Sequence, residues 1–262
     1  MKKVAIVTGG SSGIGLCTAL ALAEKGCKVY TVSRRHFEKE GITHIRADAS
    51  SEVQARSAID EILCREGRID VLVNCAGFGI SGASEFTDNA DAKQLLDVNL
   101  FGTVNFCKAV IPVMRSRSSG SIVCVSSVAA PIPIPFQNWY SVSKAAITAY
   151  CAALAGEVKP FGIKVCAILP GDINTEFTNA RQKSSAGDNI YCGRIAHSVE
   201  GMERDERTGM SPGKAGRYIC KVALKKHPAP TYTIGFKYKF FVLLSRILPQ
   251  RMVRRIVDKL YG

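Results

Sequence analysis

A doubly wound α/β fold, a parallel sheet covered by helices on both faces, is predicted by three features of the 262-residue chain. Short β-branched runs alternate with segments of helical periodicity, and the first such run ends in a glycine-rich turn. The composition, 47% apolar and 22% charged, is that of a globular protein long enough to bury about three quarters of its unfolded surface. Ten cysteines are spread along the chain with no CxxC pair and no metal-type histidine spacing. They read as free thiols of a reducing cytoplasm, not as disulfides or metal ligands.

The elements follow in order. Residues 4–8 form a β-branched strand, and residues 14–25, with Leu and Ala at helical spacing, form a helix ended by Gly26. Further strands are read at 27–32, 43–46, 71–74, 121–126, 163–169 and 231–234, giving seven strands, mostly parallel, in a three-layer α/β/α arrangement. Residues 90–115 and 140–159 are the longest helical readings. Both carry more Ala, Leu, Val and Ile than one sheet contact needs, which predicts a homodimer or homotetramer. Residues 179–213 are polar with Gly and Ser and read as a mobile insertion; the tail beyond is a pair of helices broken at Pro249. The expected organisation is one catalytic domain over 1–235, with a substrate loop at about 176–213, and a basic, amphipathic helical extension over 236–262.

Net charge is +13, and it is uneven. From Lys214 onward twelve Lys or Arg face one acid, Asp258, so +11 lies in the last fifth of the chain. The residues between these charges are apolar (Phe236, Phe240, Phe241, Leu243, Leu244, Ile247), unlike the polar spacing of a solvated nucleic-acid-binding arm. The tail therefore points to an anionic membrane surface, or to an apolar face packed on the pocket or a neighbouring subunit, and not to nucleic acid. No apolar run reaches the roughly 18 to 20 residues of a span. After Lys2 and Lys3 the run Val4-Ala5-Ile6-Val7 stops at Thr8-Gly9-Gly10, too short for a signal peptide core of about 7 to 15 residues. A cytoplasmic protein, peripherally membrane-associated at most, is expected.

The sequence Thr8-Gly9-Gly10-Ser11-Ser12-Gly13-Ile14-Gly15 joins the first strand to the first helix. There, Gly9, Gly13 and Gly15 permit a tight turn, a close approach of backbone to a pyrophosphate, and close packing of helix on strand, with the helix N-terminus facing phosphate. This is a Rossmann-type turn with GxxxGxG spacing. Downstream, Asn74-Cys75-Ala76-Gly77 closes the fourth strand, Asn99 opens a long helix, and Ser127 follows the fifth strand. Tyr140 and Lys144 stand one helical turn apart and form the only YxxxK in the chain. In this order and spacing the chain resembles the short-chain dehydrogenase/reductase family from end to end, and in particular hydroxysteroid and retinol dehydrogenase-like members.

A phenol, with a reference pKa of about 10, needs a nearby cation to act near neutrality, and Lys144 supplies one. Tyr140 is then general acid for carbonyl reduction and general base for alcohol oxidation, while Ser127 is suited to hydrogen-bond the substrate oxygen. The resemblance implies that Asn99 holds a water relaying protons to Lys144, that no metal takes part, and that a nicotinamide carries the hydride. It also places Ser11, Ser12 and Ile14 of the glycine turn, together with Asn74, Ala76, Gly77, Tyr140 and Lys144, on the cofactor. Asp48 and Ala49 then contact adenine, and Pro170, Gly171, Ile173 and Thr175 lie by the carboxamide. Two departures stand out: Cys75 occupies a position where the family more often has a second asparagine, and the tail after Gly235 is longer than in the family's smallest members.

Cofactor choice is read at the end of the second strand. An acid there would bind the ribose hydroxyls of NAD(H), but the chain has Ser33 followed by Arg34 and Arg35. A guanidinium pair suits a 2′-phosphate, so NADP(H) is expected in preference to NAD(H). The proline-stiffened segment 129–139, with Phe136 and Trp139 as flat walls, suits a bulky apolar alcohol or ketone such as a hydroxysteroid or retinoid. Two alternatives stay open: a 3-oxoacyl thioester reductase docking an acidic carrier through the basic tail, and a non-catalytic NADPH-binding scaffold or sensor.

Overall fold

Aliphatic runs become central strands because helices cover both of their faces, and the burial is complete: every residue of Val4–Thr8 and Val71–Asn74 is buried. The computed structural model describes residues 2–261; Met1 and Gly262, the outer ends of the two expected regions, lie outside it. Among the described residues the strands are β1 (Val4–Thr8), β2 (Lys28–Ser33), β3 (Ile42–Arg46), β4 (Val71–Asn74), β5 (Ile80–Ser81), β6 (Gly120–Val125), β7 (Ile163–Pro170), β8 (Gln182–Lys183) and β9 (Thr231–Ile234). The helices are α1 (Gly13–Glu24), α2 (Glu52–Glu66), α3 (Asn89–Leu96), α4 (Gly102–Ser116), α5 (Asn138–Val158), α6 (Phe177–Ala180), α7 (Arg194–Arg207), α8 (Pro212–Ala223), α9 (Phe236–Ile247) and α10 (Gln250–Tyr261).

Seven strands form one sheet in the order β3-β2-β1-β4-β6-β7-β9, and every pairing is parallel. The expected fold is therefore present, with the sheet wholly parallel. The chain winds outward from β1 in one direction and from β4 in the other. That reversal opens a crevice at the carboxyl ends of β1 and β4, the place where ligands of open α/β sheets bind. On one face, Ala19 and Leu22 of α1 and Ala215 and Ile219 of α8 pack on Val7, Val73 and Ile168. On the other, Ile59 and Ile62 of α2, Phe106, Val110 and Met114 of α4, and Ile147 of α5 pack on Ile6, Leu72 and Ile122. Each fully buried Ile, Leu or Phe of this kind contributes about 1.5 to 3 kcal/mol of transfer free energy, so the two layers hold the strand ends rigidly under the crevice.

Three expectations change. Residues 179–213, read as a mobile insertion, are folded: β8 pairs with β5 in a small parallel ribbon, and α7 is a regular 14-residue helix. The signal is Asp188, whose Oδ1 accepts from the backbone N–H of Ile195 and Ala196 at 2.9 and 3.2 Å, closing the start of α7. Second, Asn99 does not open a helix. It lies inside a continuous helical segment, in the π-helical turn Asp97–Phe101 between α3 and α4. Third, the whole segment Asn89–Ser116 is long and apolar enough to cross a membrane by length and composition. Its buried residues Leu95, Phe106, Val110 and Met114 pack in the fold, so it is a core helix of the sheet's flank.

Candidate active site

The turn after β1 is shaped by its glycines. Gly13 adopts φ +55, and a Cβ on Gly15 would sit 2.3 Å from the carbonyl oxygen of Gly9, so helix α1 can start this close to the turn only without a side chain there. Ser12 stands at the N-cap of α1 with its hydroxyl making no capping bond, and the first turn carries no acid. The free N–H groups and positive helix end thus face the crevice unopposed, a fit for phosphate. Thr8 anchors the opposite wall: its Oγ1 accepts from the N–H of Cys75 and Ala76 at 3.1 and 3.2 Å.

A cleft of about 550 Å³ runs from this turn across the carboxyl ends of the strands. It is lined by Gly9, Ser11, Ser12, Gly13, Ile14 and Gly15, by Ser33, Arg34 and Arg35, by Asp48 and Ala49, and by Ala76 and Gly77. Ser127, Tyr140, Lys144, Pro170, Gly171, Ile173 and Thr175 also line it. Residues read from seven separate stretches of sequence therefore meet in one place. Arg35 extends an Nη2 to the Ser12 hydroxyl at 3.4 Å, which joins the basic pair to the phosphate-facing turn.

At the other end, α5 presents Tyr140 and Lys144 to the cleft. The helix is pinned to β6 by Ser126, whose hydroxyl donates to the carbonyl of Lys144 at 2.8 Å, and by the Lys144 ammonium, which donates to the carbonyl of Val125 at 2.9 Å. Lys144 Nζ lies 5.5 Å from the centre of the Tyr140 ring. Burial pushes the Tyr140 phenol up to about 12, opposed by the Ser127 hydroxyl and aided by the Glu206 carboxylate, while burial brings Lys144 down to about 8. Burial is the largest influence on the phenol, and Lys144 is not among the groups that shift it. Near neutrality Tyr140 keeps its proton and Lys144 remains a cation, so the phenol carries the proton that carbonyl reduction consumes.

Asn99 and Asn74 sit beneath the cleft, not in its wall. Asn99 is wholly buried. Its Oδ1 accepts from the N–H of Phe78 at 2.9 Å, and its Nδ2 donates to the carbonyl of Phe78 and the hydroxyl of Ser143 at 3.0 and 3.1 Å. It reaches these partners because the π-helical turn widens the helix at that point. Gly77 separates it from the lysine, for a Cβ there would stand 2.9 Å from Asn99 Oδ1 and 3.6 Å from Lys144 Nζ. Asn74, expected on the cofactor, is a correction: its Nδ2 lies 3.5 Å from the sulfurs of Cys107 and Cys124, under the floor. Cys75, also beside the cleft floor, has its thiol pushed up to about 12 by burial and is inert as a nucleophile near neutrality.

The apolar wall differs from expectation too. Phe136 turns away to stack edge-on against Tyr191, their rings 5.5 Å apart, and neither it nor Trp139 lines the cleft. Ile134, Phe78, Val98, Phe177, Met202 and Tyr261 do. Phe177 lies beside the reacting end, its ring centre 5.6 Å from that of Tyr140. Glu206 enters from α7, held by the buried guanidinium of Arg181 and by the hydroxyl of Thr178 at 2.7 Å. Ile134 lies in the expected segment 129–139, and Phe177, Met202 and Glu206 in the expected substrate loop 176–213, whereas Tyr261 reaches the cleft from α10.

A family profile described as short chain dehydrogenase matches residues 3–186. The chain belongs to the short-chain dehydrogenase family. A 3-ketodihydrosphingosine reductase of Bacteroides thetaiotaomicron is 42% identical over 264 aligned residues, covering 99% of this chain and 98% of that protein. A short-chain dehydrogenase structure from Streptomyces avermitilis superposes with a TM-score of 0.84 at 28% identity, covering 98% of this chain and 95% of the other. The structure of ElxO with NADP bound superposes with a TM-score of 0.76 at 26% identity, over 92% of this chain and all of the other. As a member of this family the chain is an oxidoreductase that uses a nicotinamide cofactor.

Proposed function

We propose that this chain is an NADP(H)-dependent oxidoreductase of a bulky, lipid-like ketone and its secondary alcohol, with Tyr140 transferring the proton at the carbonyl oxygen. The observation that carries the reading is the convergence of Ser127, Tyr140 and Lys144 at one end of a cleft whose other end holds Arg34 and Arg35. A bound nicotinamide would supply hydride to the carbonyl carbon. Ser12, Gly13 and the start of α1 would hold its pyrophosphate, and Asp48 and Ala49 would border its adenine. Thr175 and Ile173 would border its carboxamide, and Lys144 would orient its ribose side. Ser127 donates a hydrogen bond to the substrate oxygen as negative charge grows there, and Tyr140 delivers the proton. Asn99 fixes the Phe78 backbone and, through it, the floor beneath Lys144.

The apolar wall of Phe78, Ile134, Phe177 and Met202 supports a substrate without many hydroxyls, as does similarity along the whole chain to a protein named for reducing 3-ketodihydrosphingosine. The substrate test is NADPH oxidation by purified protein across a keto sphingoid base, ketosteroids, retinal and a β-ketoacyl thioester. Turnover highest on the keto sphingoid base, with rates rising with apolar bulk, is the expected result. Preference for the thioester moves the assignment to fatty-acid chemistry, and cofactor binding without turnover on any carbonyl leaves a scaffold.

For the cofactor, the Arg34→Ala/Arg35→Ala double variant is expected to lose selectivity for NADPH over NADH by about tenfold or more, since two charge-assisted contacts to a 2′-phosphate are removed. Fluorescence titration with both cofactors measures it, and an unchanged ratio assigns the pair to the solvated surface. A homodimer or homotetramer through α4 and α5 follows the family reading. The exposed Phe101, Val142 and Phe161 supply the apolar contact.

A further inference from the structure

The C-terminal helix pair is only lightly tied to the fold. Of α9 only Val242 is buried, and of α10 only Val257. On α9, Phe236, Phe240, Leu243 and Ile247 recur at intervals of four, three and four residues, so they form a single stripe along one helix face. That stripe is open to solvent, at 91%, 57%, 56% and 70% exposure. On α10 the exposed Met252, Ile256 and Leu260 repeat every four residues and form a second stripe. Such a run of large apolar side chains is unlike the scattered exposed residues of an ordinary surface.

The charges around the stripes are of one sign. Lys237, Lys239 and Arg246 on α9, and Arg251, Arg254, Arg255 and Lys259 on α10, stand against the single acid Asp258. Among the described residues, only Lys237 of these seven has a carboxylate within 4 Å, that of Asp172 at 3.8 Å. Two apolar stripes bordered by unpaired cations match the interfacial helices that lie in the plane of a bilayer, apolar face in the acyl boundary and cations at anionic headgroups. A second copy of the chain fits poorly, since a symmetric contact through this face would set seven cations against seven.

We infer that α9 and α10 form a docking surface for anionic lipid bilayers. The pair is also built into the cleft's rim. Tyr261 of α10 lines the cleft and donates its hydroxyl to Asp205 at 2.7 Å, while Tyr238 of α9 packs over Gly171 and donates to Asp172. Docking would therefore bring the end of the cleft that holds Tyr140 next to the lipid surface. The inference rests on the exposed face alone and stands whatever ketone the cleft takes.

The test is flotation of the full-length protein with vesicles of phosphatidylcholine, with and without about 30 mol% phosphatidylserine, at near-physiological salt. The Phe236→Ser/Phe240→Ser and Arg251→Glu/Arg254→Glu/Arg255→Glu variants run beside it, and NADPH affinity reports that each remains folded. Binding that needs phosphatidylserine, weakens with added salt and falls by about tenfold in either variant is the expected result. Three outcomes overturn the inference. They are no flotation with either vesicle, flotation unaffected by both variants, and lipid-independent self-association abolished by the Phe variant, which would make the face a contact between copies.

Discussion

Tyr140→Phe is expected to lower kcat for ketone reduction by about two to four orders of magnitude while leaving NADPH affinity within a few-fold of the parent. The substitution removes one oxygen and keeps the ring, so the packing against Phe177 at 5.6 Å and the Lys144 ammonium at 5.5 Å is preserved. What is lost is the proton. The phenol is pushed up to about 12 by burial, so near neutrality it is protonated, while the neighbouring Lys144 ammonium donates to the carbonyl of Val125 at 2.9 Å. Ser127 cannot substitute, because a serine hydroxyl is a far weaker acid than a phenol. Single-turnover absorbance of NADPH separates the chemical step from binding. A variant with near-parental turnover would place the proton donor elsewhere and remove the central residue of the proposal.

Most of the crevice was legible because its residues are local. A strand ending in Gly9, a helix starting at Gly13, and a tyrosine and lysine one turn apart are each set by a few neighbouring residues, and parallel topology then brings them to one edge of the sheet. Asn74 was misplaced by the same logic. It ends β4 as expected, but strand alternation turns its side chain under the floor toward Cys107 and Cys124. Asn99 was found without its context, since a π-helical turn has no compositional mark. The substrate wall was legible as a stretch, the loop 176–213, but not residue by residue. Phe177, Met202, Glu206 and Tyr261 come from α6, α7 and α10, whose placement depends on long-range packing such as Thr178 on Glu206 and Tyr261 on Asp205. Phe136 was expected to do their work because an aromatic residue in a proline-rich loop resembles a pocket wall; the neighbour it found instead was Tyr191, from a segment the polar composition had marked as mobile. The tail is the opposite case: its charge and apolar spacing were plain, and the structure adds that both are left facing solvent.

Gly15→Ala is expected to weaken NADPH binding by more than about tenfold and to lower thermal stability by several degrees. Two readings of this glycine compete, helix propensity and close approach. On propensity alone alanine would stabilise α1 by up to about 1 kcal/mol. The geometry reverses that sign. The added Cβ would meet the carbonyl oxygen of Gly9 at 2.3 Å and its carbonyl carbon at 2.8 Å, and these are backbone atoms that cannot rotate away. Gly9 is itself fixed: its N–H donates to the carbonyl of Val32 at 2.8 Å, and its own absent Cβ would stand 2.8 Å from the Cα of Ala76. The turn is therefore held between β2 and the segment after β4, and relief must come from α1 moving outward. That movement carries the free N–H groups at the start of α1 away from the crevice, so affinity for the phosphates falls together with stability. Gly26→Ala is the control. It sits past the other end of the same helix, at φ +79, and a Cβ there would have nothing within 4 Å, so the substitution costs backbone strain without touching the cleft. Loss of stability in both variants, with loss of NADPH affinity only in Gly15→Ala, follows if close approach at the turn is what shapes the phosphate cradle; equal affinity in the two would mean that the glycine turn plays no part in holding the cofactor.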